Sequence, residues 1–299
     1  MLMVMFVLHN TEKLDDLIDA WEAAGVPGIT ILHSTGLGRA RSLPGRTPGA
    51  TVATERLQKL IARAGLASRR TAGAFILSGR VRVNGRVVTT PGMRADPVRD
   101  RIHVDDTLVR IPRTHVYVML HKPQATVTTA ADPQGRRTVG SLMRALQARV
   151  FPVGRLPYDV QGLLLLTNDG DFADTVLRAH LPQTFWLKVK GRLTKEEEAK
   201  LVRVAARRGE KAFSWKLVKE GANPWYEAVL SAPRQDWLRD WLGRRGHPVE
   251  KLRRVGIGTL QLGGLPVGGY RHLTQGERND LLAECTRWRQ SNRMAKLLR

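Results

Sequence analysis

Val153-Gly154-Arg155-Leu156-Pro157-Tyr158-Asp159-Val160-Gln161-Gly162-Leu163-Leu164-Leu165-Leu166-Thr167-Asn168-Asp169-Gly170 is the stretch on which the reading of this chain turns. Its first half is a polar loop bounded by Gly154 and Gly162, and its second half opens on four consecutive leucines. Four leucines in a row cannot alternate between water and core, so they predict a strand buried on both faces. Asn168-Asp169-Gly170 then turns the chain, and Asp171 is placed to cap a helix carrying Phe172, Thr175, Val176 and Leu177. A loop anchored on so rigid a strand is a good place for chemistry. Asp159 is the only carboxylate within it.

Upstream, Val116 to Leu120 alternates as a strand and runs into His121-Lys122-Pro123. A helix is expected over 139–148. Downstream, Trp225 to Leu230 reads as a strand. Between this strand and the closing segments lies Pro233-Arg234-Gln235-Asp236-Trp237-Leu238-Arg239-Asp240, and His247 sits in a turn that ends a helix. Residues 286–299 form a basic tail.

Residues 55–106 have a different texture. Leu57, Leu60, Ile61 and Ala64 make a helical stripe that Gly65 stops. Ser68 can cap a second helix, and Asn84-Gly85 is a tight-turn signal between valine-rich strands. Cations dominate here, among them Arg56, Lys59, Arg63, Arg69, Arg70 and Arg80. Residues 1–40 are an acidic island that reads as a short βαβ unit, tied to the rest by a Gly-, Pro- and Arg-rich linker over 41–54; residues 107–115 form a second linker.

The bulk numbers narrow the function classes. The 299 residues carry 49 Lys plus Arg against 27 Asp plus Glu, a net +22, and the sequence pI is near 11.2. A polyanion is the natural partner for that charge, nucleic acid first. No run approaches the ~18 apolar residues of a membrane-spanning helix, and the apolar first eight residues have neither the basic start nor the small-residue cleavage site of a signal peptide. The chain is expected to be cytoplasmic, with no membrane partner, and monomeric. One cysteine, Cys285, excludes an intrachain disulfide and cysteine-based zinc sites.

The 153–170 stretch resembles the active-site motif of the RsuA/RluB-type RNA pseudouridine synthases, Gly-Arg-Leu-Asp followed by two variable residues, Thr, any residue, Gly and Leu-Leu-Leu. Arg56 to Leu60, Ala67 to Arg70 and Gly79 to Gly85 resemble an S4 RNA-binding domain. Residues 1–40 are similar, more weakly, to the start of a PII-like domain. The resemblance implies an α+β architecture: a short βαβ unit, a small S4 domain, and a mixed or antiparallel-sheet pseudouridine synthase domain over 116–285. It further implies isomerisation of uridine in RNA, ribosomal RNA first, with no cofactor and no metal.

Site residues follow by position. Where the family has its aspartate this chain has Pro157, and Val160 stands at the threonine position; Asp159 is therefore the candidate catalytic carboxylate, with Arg155 keeping it ionised. Phe185 falls where the family has a tyrosine against the target base, so it is read either as that contact or as core. Lys122, Arg234 and Arg239 are further candidates for substrate contact. Arg56, Lys59, Arg63, Ser68, Arg69, Arg70, Arg80 and Asn84 are the candidates on the S4 module. The departure at Pro157 leaves two functions open: a synthase that uses Asp159, or an RNA-binding protein on the same fold.

Overall fold

The computed structural model describes residues 54–112, 114–146, 148–231 and 236–297. The acidic βαβ unit, the 41–54 linker apart from Thr54, and Arg234 lie outside them.

Residues 55–111 build the first body. Helices α1 (Leu57–Arg63) and α2 (Arg69–Leu77) turn Leu57, Leu60, Ile61, Ala72 and Ile76 inward, at the three- and four-residue spacing of one helix face. These side chains pack on Val81, Val83 and Val88 of strands β2 (Val81–Val83) and β3 (Arg86–Val88), and on Ile102 and Val104 of β5 (Ile102–Val104). Each large aliphatic so buried contributes roughly 1.5–3 kcal/mol. Asn84 and Gly85 take φ of 51° and 81°, the left-handed pair that a two-residue hairpin needs. Ser68 caps α2 by accepting from Thr71 N at 3.0 Å. A two-stranded pair, β1 (Glu55–Arg56) and β4 (Arg94–Ala95), stands beside the four-stranded sheet. The expected linker over 107–115 starts too early: β6 (Thr107–Leu108) pairs with β5, and Val109 and Ile111 pack on the same core.

The second body is a mixed sheet of nine strands among the described residues. Strand β7 is Tyr117–Lys122, β8 is Phe151–Pro152, and β9, the leucine strand, is Gln161–Thr167. Helix α4 (Gly170–Ala179) follows β9, and β10 is Gln183–Val189. Helix α5 (Lys195–Arg207) precedes the strands β11 (Ser214–Lys219) and β12 (Trp225–Leu230). Helix α6 (Asp236–Gly243) leads to β13 (Val249–Ile257), β14 (Leu260–Gln261), β15 (Tyr270–His272) and α7 (Gln275–Leu297). The main path is β11-β12-β10-β13-β9-β7-β15, with β9 parallel to β13 and antiparallel to β7. Leu163 to Leu166 are at most 2% exposed: Leu164 and Leu166 face the core under α5 and α6, while Leu163 and Leu165 face α4 and α7. The buried-strand expectation holds because helices cover both faces of β9.

Three local expectations change. Asp169 rather than Asp171 caps α4, accepting from Asp171 N and Phe172 N at 3.0 and 3.1 Å. The helix expected over 139–148 is only α3 (Val139–Leu142), capped by Thr138. Gly140 there lies so near Ala130 O that an added Cβ would sit 2.2 Å away, so a close backbone contact rather than helix propensity shapes the turn. No break separates the synthase body from a tail at 286, since α7 runs through buried Cys285 and Trp288 donates to His180 O at 3.1 Å.

Candidate active site

Four side-chain positions lie on one rung across the centre of the sheet: Phe185 pairs with Arg254, Arg254 with Gly162, and Gly162 with Lys122. Paired residues project to the same face, here the face of Leu120, Leu164 and Leu187. Gly162 has no side chain to offer and cannot have one. Its φ is +126°, and an added Cβ would lie 2.2 Å from Arg254 O. The rung therefore has a gap flanked by two cations whose backbones are roughly 10 Å apart, two strand spacings.

Both cations are buried. Arg254 is 3% exposed and donates from Nε to Leu163 O at 2.8 Å and from Nη1 to Gln183 Oε1 at 2.9 Å, while its buried Nη2 has no partner among the described residues. Burial lowers its pKa to about 10. Lys122 is fully buried, and its ammonium donates to the carbonyls of Pro123 at 3.0 Å, Thr126 at 2.9 Å and Tyr158 at 3.5 Å. Its pKa falls to about 8: burial is the main cause, Arg254 adds to it, and the Asp159 carboxylate opposes it.

The 154–162 loop crosses this floor between β8 and β9. Leu156 and Val160 drop into the core beside Phe185, while Arg155, Tyr158 and Asp159 stay exposed. Val160 N donates to Pro157 O at 3.1 Å and closes a tight turn. Three side chains of the 122–128 segment hold the loop by its backbone. Thr128 Oγ1 donates to Leu156 O at 2.6 Å, Gln124 Nε2 to Asp159 O at 3.1 Å, and Lys122 to Tyr158 O. Backbone ties do not depend on which side chain stands at 157, so the proline leaves the path of the loop intact. On the outer side Arg239, from α6, meets Asp159 Oδ2 at 2.8 Å.

A family model described as RNA pseudouridylate synthase matches residues 116–233, and one described as S4 domain matches residues 55–102. An uncharacterised RNA pseudouridine synthase of Aquifex aeolicus is 38% identical over 228 residues, 74% of this chain and 91% of the relative. The chain belongs to the RNA pseudouridine synthases. Ribosomal large subunit pseudouridine synthase B of Bacillus subtilis is also 38% identical, over 236 residues that cover 77% of this chain and 96% of that protein. A crystal structure of a pseudouridylate synthase superposes with a TM-score of 0.51 at 27% identity, covering 76% of this chain and 99% of that one. This synthase is accordingly an isomerase with an S4 RNA-binding module.

Within the synthase several expected roles move. Asp159 is in the loop as expected, but Arg239 rather than Arg155 pairs with it; Arg155 makes no ion pair among the described residues. Arg239 is thereby a partner of the loop before it is a contact for substrate. Lys122 cannot reach RNA from 0% exposure and serves as a strut under Tyr158. Phe185, at 1% exposure, is core, in the same buried cluster as Leu156 and Val160, rather than an open stacking face.

On the S4 module Arg80 is bound bidentately by Asp105 and stacks on Phe75, and Asn84 is engaged by Asp100 and by Arg101 N. Arg63 pairs with Glu55, and Lys59 with both Glu55 and Asp171. Ser68 is spent on its cap. Exposed Arg56, Arg69 and Arg70 remain, and Arg56 and Arg69 line a hollow of about 260 Å³ with Lys59 and Arg94. Arg254 was missed altogether. Leu252-Arg253-Arg254 looks like a half-exposed basic strand, and only its pairing with Gly162 reveals the burial.

Proposed function

We propose that this synthase isomerises a uridine of ribosomal RNA to pseudouridine as a cytoplasmic monomer, with Asp159 as the reacting carboxylate. The N1–C1′ bond breaks, the uracil turns in place, C5 bonds to C1′ and then gives up its proton while N1 gains one, a sequence that requires one carboxylate at the sugar–base junction of a flipped nucleotide. The observation that carries this reading is the 2.8 Å contact of Asp159 with Arg239 on the loop above the cationic rung of Lys122 and Arg254. A carboxylate there is held in place by the Arg239 guanidinium while staying half-exposed to an incoming nucleotide.

The ribosomal target is supported by the relatives named for the large ribosomal subunit and by the arginines of the S4 hollow. The net +22 repels further copies of the chain, which favours a monomer on RNA. The test is pseudouridine mapping of ribosomal RNA from cells with and without the protein, repeated with purified protein and unmodified ribosomal RNA. At least one site should depend on the protein in both settings. No dependent site in either would overturn the assignment and leave an RNA-binding protein on this fold.

A further inference from the structure

The opposite end of β7 carries a second cavity. It measures about 600 Å³ and is lined by His115 and Tyr117, by Asp171 and Phe172 at the start of α4, and by Arg278 and Asn279 on the first turns of α7. Tyr117 is fixed in it. Its hydroxyl donates to Asp169 Oδ2 at 2.8 Å, and its ring packs against Phe172 at an interplanar angle of 71° with centroids 4.8 Å apart. Burial and the Asp169 carboxylate push the phenol up to about 12, so it stays a neutral donor at working pH. Arg278 lies with its guanidinium 4.7 Å from the Tyr117 ring centre, and the exposed His115 ring stands 6.4 Å away on the same aromatic.

A half-buried tyrosine with a stacked guanidinium is a flat, cationic platform, the surface on which a nucleobase stacks whatever its sequence. Asn279 and Asp171, both exposed at its edge, supply the donor and acceptor that a base edge uses. Location adds the last point. Asp171 also pairs with Lys59 at 3.0 Å, and Lys59 lines the arginine hollow of the S4 module, so the cavity and the hollow share a wall.

We infer that this cavity is a second RNA subsite, which takes one unpaired nucleotide flanking the target, with its base on the Tyr117–Arg278 platform and its edge toward Asn279. It is not the uridine pocket. Tyr117 and Lys122 are at opposite ends of β7, roughly 17 Å apart at ~3.4 Å per residue. The subsite orients the RNA that the S4 arginines hold, so that the target reaches the 154–162 loop in one register. This inference rests on RNA being the substrate but not on Asp159 being the reacting group.

The experiment uses the full chain and a ribosomal RNA fragment that it binds, with 2-aminopurine placed at one unpaired position at a time. One position other than the target should change fluorescence on binding. Arg278→Ala should remove that change and weaken RNA binding about tenfold. Asn279→Ala, on the exposed face of α7, guards against misfolding and should move the same position alone. An abasic nucleotide there should cost wild type the same tenfold and cost Arg278→Ala nothing more. The inference is overturned if both variants bind RNA as wild type does, if no position responds, or if adenosine monophosphate at micromolar concentration abolishes the signal, which would make the cavity a free-nucleotide site. Failure of the wild type to bind RNA at all would overturn it together with the ribosomal RNA reading. Failure to form pseudouridine while the position still responds would overturn only the latter.

Discussion

Replacing Asp159 with asparagine keeps the shape of the loop and removes one charge, and the structure sets the size of each consequence. The carboxylate meets Arg239 at 2.8 Å with the two side chains 54% and 35% exposed, so water screens the pair. Such a pair is worth about 0.2–1 kcal/mol, and Asp159→Asn should lower Tm by no more than about 4 °C. The backbone ties from Lys122, Gln124 and Thr128 survive the change, so RNA affinity should stay within about threefold of wild type, well under the ~1.4 kcal/mol of a tenfold change. Turnover should not survive. Losing the reacting carboxylate costs on the order of 10²–10⁴-fold or more in kcat. Arg239→Gln, which leaves the carboxylate but frees it to swing, should lose roughly tenfold to a hundredfold in kcat. The double variant should be no slower than Asp159→Asn, because Arg239 acts through the carboxylate. The assay is single-turnover conversion of a labelled uridine in a ribosomal RNA fragment, with binding measured separately. Turnover of Asp159→Asn within tenfold of wild type would refute the assignment. So would an Arg239→Gln variant that loses affinity and keeps its rate, since Arg239 would then be an RNA contact only.

Pro157→Asp puts a carboxylate at the position the family motif uses, on a loop whose backbone is held independently of that side chain, and should raise the rate of pseudouridine formation; a fall in rate would show that this chain has reorganised its site around Asp159. Lys122→Met tests the buried strut through pH. The unfolded chain keeps the lysine proton to about 10.5 and the native protein releases it near 8, so the unfolded state holds more protons between these values and stability rises across that window. The gain, about 3 kcal/mol at most, should appear in urea unfolding of wild type between pH 7.5 and 10.5 and be missing from Lys122→Met, and parallel pH curves for the two would be the contrary result. Gly162→Ala should cost roughly 3 kcal/mol or more, since it adds a Cβ 2.2 Å from Arg254 O at φ +126°; a loss under about 1 kcal/mol in chemical unfolding would mean that the β9–β13 register is different.

The elements most legible in the sequence are those decided by near neighbours. Four leucines in line require two covered faces, and Asn84-Gly85 requires a tight hairpin, wherever the rest of the chain goes. The S4 helices were legible for the same reason, as was the loop that ends at Gly162. Residue type alone could not say which cations meet RNA. Arg80 and Arg63 look like unpaired cations until Asp105 and Glu55 are brought beside them, and Lys122 looks like a surface lysine until three carbonyls surround it. Arg254 is the clearest case. Its Nε meets the carbonyl of Leu163, 91 positions away in the chain, and nothing local in Leu252-Arg253-Arg254 marks it as buried. By itself, then, the sequence determined the fold family, the S4 module and the loop that holds the site, because propensity, patterning and turn chemistry act over a few residues. Only the tertiary structure decided that Arg239 holds Asp159, that Phe185 is core, and that Arg254 and Lys122 flank a glycine gap. Burial and charge pairing are properties of the residues that the sheet places side by side, and the register that does so is set by the whole packed core.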